Sequence, residues 1–136
     1  MIIDRSAVVA ALRDAPSATH VMAHLANAKV RAMGTPTLVE TGIVLVSRLG
    51  PSGRTLLVRF CNELEIEEIP FSSAHWPIAL DAFQRFGKGR HPASLNFGDC
   101  LTYATARLAQ QPLLHIGNDF AQTDLAVVSA EEQPSG

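Results

Sequence analysis

Short apolar runs of strand length take turns with longer segments whose apolar residues recur at helical spacing, and this alternation constrains the fold more than any other feature. The runs are Met1 to Ile3, Val30 to Met33, the alternating stretch Glu65 to Pro70, Leu113 to Ile116, and a last short one at Ala126 to Val128. Strands joined through helices run parallel, because a parallel pair needs a crossover connection, and a parallel sheet needs cover on both faces. The expected fold is α/β: a three-layer α/β/α domain around a parallel sheet of about four to five strands. Such sheets bind ligands beyond the carboxyl ends of their strands, so the residues just past each run are the first candidates for chemistry.

Between the runs, Ser6 opens a helix to about Asp14, and Val21, Met22, Leu25 and Ala28 mark a second. Thr37 is placed to cap a helix that reaches Leu49 before Gly50-Pro51, and Leu56, Leu57 and Phe60 share one face of the next, from Ser52 to Leu64. Ser72 or Ser73 can cap a helix from His75 to Phe86. After a polar loop over residues 87–96, Asn96 fits the N-cap of a helix from Phe97 to Gln110.

The 136 residues are 47% apolar, enough to bury one core without staples, so one domain is expected over residues 1–130 with a tail that frays from Glu131. Eleven basic and thirteen acidic residues give a formal charge of −2, which excludes a globally basic surface; any RNA site must be a local patch. Cys61 and Cys100 form no CxxC pattern and are expected to be reduced, buried thiols. The first dozen residues are broken by Asp4 and Arg5, too charged for a signal core or a membrane span, which makes the cytoplasm the expected compartment. There is no glycine-rich phosphate loop and no GxSxG, and Ser6 stands where a haloacid-dehalogenase-like phosphatase needs its second Asp.

Four acids stand at or near strand ends: Asp4 after Ile2-Ile3, Glu40 and Asp99 in the first turns of helices, and Asp119 just after Leu113 to Gly117. Converging carboxylates raise one another's pKa, and a hard divalent cation such as Mg²⁺ or Mn²⁺ is their natural partner. Such an ion lowers the pKa of bound water and neutralises charge developing on a phosphodiester. Each acid also has a reading without chemistry. Asp4 can cap the helix at Ser6, Glu40 lies three residues after Thr37 as in a capping box, Asp99 complements a helix dipole, and Asp119 suits a turn.

Taken together and in order, the motifs resemble the PIN-domain family, in particular the VapC-type toxins of bacterial toxin–antitoxin pairs. Ile2-Ile3-Asp4-Arg5-Ser6-Ala7 matches the family's opening strand and Asp-Thr-Ser-Ala except at Arg5; Thr37-Leu38-Val39-Glu40 matches its Glu-bearing helix. Leu95-Asn96-Phe97-Gly98-Asp99-Cys100 and the stretch from Leu113 to Asp124 match its last two marks. The resemblance spans nearly the whole chain. It implies a PIN-like fold, Mg²⁺-dependent endoribonuclease activity, and pairing with a VapB-type antitoxin in a homodimer or higher assembly. It makes Asp4, Glu40, Asp99 and Asp119 the metal-site acids, with Asp124 as an alternative to Asp119, and Ser6 and Asn96 as groups that orient them.

Arg5 replaces a small residue; its guanidinium can pair with a carboxylate, reach an RNA phosphate, or face solvent. Lys88, Arg90 and His91 gather basic charge in the loop before Asp99, where an RNA backbone can be gripped, or form an ordinary solvated loop. His20 and His24 have a zinc-chelating spacing but lack the Glu of the metalloprotease motif. Trp76 and Phe86 are expected in the core or at a partner interface rather than stacked on bases, and Val44, Leu56, Leu57 and Phe60 are apolar enough to serve an antitoxin. The competing reading is a non-catalytic PIN-like module that binds RNA or protein without cutting.

Overall fold

Five short strands, all parallel, lie in the order β3-β2-β1-β4-β5. They are β1 (Ile2–Ile3), β2 (Ala32–Gly34), β3 (Glu67–Ile69), β4 (Leu113–His115) and β5 (Val127–Ser129) in a computed structural model that describes residues 1–135. Six helices connect them: α1 (Arg5–Leu12), α2 (Ala18–Asn27), α3 (Thr35–Leu49), α4 (Pro51–Glu63), α5 (Trp76–Phe86) and α6 (Phe97–Ala109), with a single 3-10 turn at Phe120–Gln122. The α/β three-layer reading of the sequence is the fold observed. No helix among the described residues is long and apolar enough to cross a membrane.

Alternation along the central strands explains the three layers. Ile2 and Leu113 pack into one core with Ala82, Phe86, Tyr103 and Ala104 of α5 and α6; Ile3 and Leu114 pack into a second with Ala7, Val8, Val21, Leu25 and Phe60 of α1, α2 and α4. Each such fully buried aliphatic side chain contributes about 1.5–3 kcal/mol of transfer free energy. The outer strand β3 is different: Glu67 and Glu68 are exposed, and charge along an open edge discourages pairing with another chain.

Several expectations are corrected. The helix after β2 begins at Thr35 with Gly34 as its N-cap and no side-chain cap; Thr37 lies inside it, and its hydroxyl meets that of Thr102 at 3.0 Å. The Thr37–Glu40 capping box therefore does not form. The helix at Trp76 has His75 at its N-cap position rather than a serine, and Ser72 instead bonds the His75 ring and the Ala74 amide. β2 begins at Ala32 rather than Val30: Val30 is exposed, and the Arg31 side chain donates to the carbonyls of Leu25 and Leu64. Cys61 is only partly buried. Phe60 belongs to the core and offers no partner surface.

The tail expected to fray from Glu131 is held at its first two residues. His20 Nδ1 lies 3.0 Å from the Glu131 carbonyl, His24 Nε2 lies 2.7 Å from that of Glu132, and the Glu131 carboxylate accepts from the Gly117 amide. The histidine pair that matched a zinc spacing is thus engaged with backbone carbonyls. Residue 136 of that tail lies outside the described residues.

Candidate active site

The carboxyl ends of β1 and β4 are adjacent, and the first turns of α1 and α6 begin over them. Asp4 leaves β1 as the N-cap of α1, 6% exposed, and its Oδ2 accepts from both the amide and the hydroxyl of Ser6. The Ser6 hydroxyl also accepts from the Ile116 amide at 3.0 Å, which ties the end of β1 to the end of β4. Asp99 sits in a capping box at the start of α6: Asn96 Oδ1 accepts from the Asp99 amide at 2.9 Å, and the Asn96 amide donates to Asp99 Oδ2 at 3.0 Å. In both acids the cap engages Oδ2. Capping and chemistry therefore do not compete, since Oδ1 of each carboxylate stays available.

Asp119 follows Gly117, whose φ of 106° is accessible to glycine at little cost and turns the chain sharply off β4. It opens the 3-10 turn and is exposed. Glu40 lies one turn into α3, where Oε2 pairs with Arg5 Nη1 at 3.0 Å. Its carboxylate lies against Gly98 so closely that a Cβ there would collide with it. The glycine between Phe97 and Asp99 is what lets the Glu40 carboxylate of α3 lie against the first turn of α6.

Electrostatics show which groups feel one another. The Asp99 carboxyl is pushed up to about 6, first by burial and further by the charges of Asp4 and Asp119; the Asn96 amide and the Arg5 guanidinium pull the other way. Asp124 behaves oppositely. It lies in a separate cluster, accepting from the Tyr103 hydroxyl at 2.6 Å, Arg85 at 2.9 Å and Arg107 at 2.8 Å. Burial raises its pKa, but those three partners outweigh it and hold the carboxyl below the ordinary range. Asp124 thus ties α5 and α6 to the segment before β5, whereas Asp119 is the acid coupled to Asp99.

Lys88 and Arg90 are exposed on the loop before α6, and Arg90 stacks over the Phe83 ring at 5.4 Å. His91 is tucked edge-on against Phe86 at 5.1 Å while its Nδ1 accepts from the Ala93 amide. Gln122 reaches the Pro92 carbonyl, which brings this loop beside the turn that carries Asp119.

An all-carboxylate donor set suits a hard divalent cation, and the charges of Asp4 and Asp119 that add to the effect of burial on Asp99 are ones such a cation would offset. Among the described residues no three His, Cys, Asp or Glu side chains are already gathered around one point at ligating distance. Glu40 has Arg5 as its cationic partner. By the chemistry of the donors, the site fits Mg²⁺ or Mn²⁺.

Beside the acids runs an apolar surface that sequence periodicity only partly located. One cleft of about 670 Å³ is lined by Arg5, Glu40, Ile43, Phe97, Gly98 and Leu101; a second, of about 540 Å³, by Phe71, Trp76, Leu80, Phe83, Phe97 and Leu101. Phe97, 79% exposed, stands between them. Val44, Leu56 and Leu57, the residues first expected on a partner face, are half-buried, whereas Val39, Ile43, Val46, Leu49 and Val58 of the same two helices are exposed. Phe86 is core, while Trp76 is 58% exposed.

The family model of the PIN domain matches residues 1–125. The chain belongs to that family. As a PIN domain it has close relatives: Ribonuclease VapC36 of Mycobacterium tuberculosis is 52% identical over 126 residues, covering 92% of this chain and 91% of that protein. The crystal structure of VapC20 from M. tuberculosis, described as a Sarcin-Ricin loop cleaving toxin, superposes with a TM-score of 0.76 at 15% identity, covering 98% of each chain. VapBC2 from Rickettsia felis, solved bound to a promoter DNA fragment, gives 0.75 at 14% identity over 94% of this chain and 96% of that one. At such identities the two structures speak for the PIN fold alone.

Proposed function

We propose that this PIN domain is a metal-dependent endoribonuclease acting as the toxin of a toxin–antitoxin pair. The observation that carries the reading is the coupling of Asp99 to the charges of Asp4 and Asp119 at the carboxyl edge of the sheet, with Glu40 against the neighbouring Gly98, in a chain 52% identical to a protein named a ribonuclease. Asp4, Glu40, Asp99 and Asp119 would hold Mg²⁺ or Mn²⁺ through carboxylate oxygens. When bound, the ion lowers the pKa of a water and neutralises charge on the scissile phosphodiester.

The chain's own residues do the placing. Ser6 and Asn96 anchor one oxygen each of Asp4 and Asp99 by the hydrogen bonds described, which leaves the other oxygen of each acid to a ligand. Lys88 and Arg90 supply the local positive charge that draws in an RNA backbone, and His91 holds their loop against Phe86. Arg5, paired with Glu40, adds a guanidinium at the mouth of the site within reach of phosphate chemistry. Asp124 is assigned to the Tyr103, Arg85 and Arg107 tie rather than to the metal.

The partner is a VapB-type antitoxin whose apolar helix occupies the clefts on either side of Phe97, in an assembly built on a toxin homodimer in the cytoplasm. The exposed apolar side chains beside the acids support it, since a free monomer gains nothing from such a patch. RNA cleavage with Mg²⁺ and with excess chelator, using the wild type, Asp4→Asn and Asp99→Asn, tests the chemistry. Folded wild-type protein that binds RNA and leaves it intact in Mg²⁺ would replace this reading with a non-catalytic PIN-like module. Growth arrest on expression, relieved by the neighbouring gene, tests the pairing.

A further inference from the structure

His115 is the last residue of β4 and 1% exposed, and neither ring nitrogen has a hydrogen-bond partner among the described residues. Leaving a buried polar group unsatisfied costs about 1–3 kcal/mol. Its ring meets Phe120 edge-on at 5.7 Å, and Leu113 and Leu114 precede it. A phenylalanine would fill such a slot without the cost. A partner for the imidazole is therefore to be sought among the groups the fold sets around it.

The sheet register supplies one. Ile2 pairs with Leu113 and Ile3 with Leu114, so one step further Asp4 lies alongside His115, and the Asp4 amide still follows the ladder by donating to the Leu114 carbonyl at 2.9 Å. Side chains alternate along parallel strands, and Ile2 and Leu113 both enter the core under α5 and α6. Asp4 and His115 therefore share the face over which α6 begins with Asp99. The other charged groups whose fields reach the ring are Asp119, four residues on, and Glu131, beyond β5. All three are acidic.

We propose that His115 is a positioning residue of the acid site, donating a ring N–H toward Asp4 through one ordered water, so that the carboxylate keeps its metal-ligating direction. A neutral imidazole carries one donor and one acceptor. Ser6 already occupies Asp4 Oδ2, which leaves Oδ1 as the atom whose direction is unfixed, and the packing of Phe120 on the ring holds the donor's plane. A ligating carboxylate anchored at only one oxygen can rotate, and outer hydrogen bonds of this kind change metal affinity by about 10–100-fold.

This inference rests on the metal-site reading, and the test separates the two. Mn²⁺ binding to the full chain is measured by calorimetry for wild type, His115→Phe and His115→Gln, together with thermal melting without metal and kcat and KM for RNA cleavage in Mg²⁺. The phenylalanine variant is expected to melt at or above the wild-type temperature without metal, to bind Mn²⁺ about 10–100-fold more weakly, and to lose kcat with KM little changed. His115→Gln, which can still donate, should recover most of the affinity. Wild-type affinity in the phenylalanine variant, or equal weakness in both variants, overturns the role. Should the phenylalanine variant fail to fold, the ring ¹⁵N resonances of His115 in the wild type decide: they must shift on Mg²⁺ addition, and unmoved resonances overturn it. A wild type that takes up no Mn²⁺ defeats the acid-site reading, and the inference falls with it.

Discussion

Asp99 and Asp124 both gather around helix α6, and the fold treats them oppositely. Asp124 is given three donors and is held below the ordinary carboxylate range; Asp99 is capped at one oxygen, half-buried within the field of Asp4 and Asp119, and pushed up to about 6. A charge that serves structure is paired by the chain itself. The charge proposed to serve a ligand is left in deficit, and that deficit separates the two better than residue type does, since both are aspartates within stretches that match the family's motifs.

The comparison breaks most sharply on turnover. Asp4→Asn and Asp99→Asn should each lower RNA cleavage in Mg²⁺ by more than about 100-fold, beyond what loss of an outer hydrogen bond does, with the circular-dichroism melt nearly unchanged. Asp124→Asn should cleave as wild type. The reverse ranking would exchange the roles assigned to the two clusters. Gly98→Ala probes the same site from the opposite helix. Its methyl displaces the flexible end of Glu40, so cleavage should fall about 10-fold while the melt moves little, and unaltered cleavage would take Glu40 out of the site.

Stability ranks the clusters the other way. Asp124→Asn weakens three charge-assisted contacts at a half-exposed position, and a loss of about 1 kcal/mol in urea unfolding is expected. The pH dependence follows with opposite signs. Asp99 has a raised folded pKa, so its contribution is full below the ordinary carboxylate range and is lost as pH rises through about 6; Asp124 has a lowered one, so its contribution is present above that range and is lost on acidification. Stabilisation by Mg²⁺, measured as a melting shift, should accordingly grow between pH 5 and pH 7.5, and a flat profile would separate Asp99 from the metal. The smallest effect belongs to the loop. Lys88→Ala with Arg90→Ala should reduce the salt slope of single-stranded RNA binding by about 1.4, two phosphate contacts at about 0.7 each, without moving the cleavage position.

Much of this was readable from the chain. The strand runs, the helices between them, and the placing of Asp4 and Asp119 after strand ends and of Asp99 in the first turn of a helix follow from local periodicity and caps, which act over a few residues. Even the Asn96–Asp99 box is a local signal, although the box first expected stood at Thr37 and Glu40. That pair fails because α3 starts three residues earlier than the cap chemistry implied, so Thr37 faces Thr102 of α6 and Glu40 is free to meet Arg5. The choice between Asp119 and Asp124 was likewise open, since both lie a few residues past β4.

What only the tertiary structure decided is which side chains meet across long separations. Tyr103, Arg85 and Arg107 claim Asp124; Gly98 admits Glu40; Glu131 and Glu132 occupy the two histidines of α2; and the register of β1 against β4 sets His115 beside Asp4. The sequence alone determined the alternation of strand and helix and the acids at the strand ends, because each depends on neighbours along the chain. Partners, exposure and charge state depend on helix phase and sheet register, which are fixed only when all the layers pack at once.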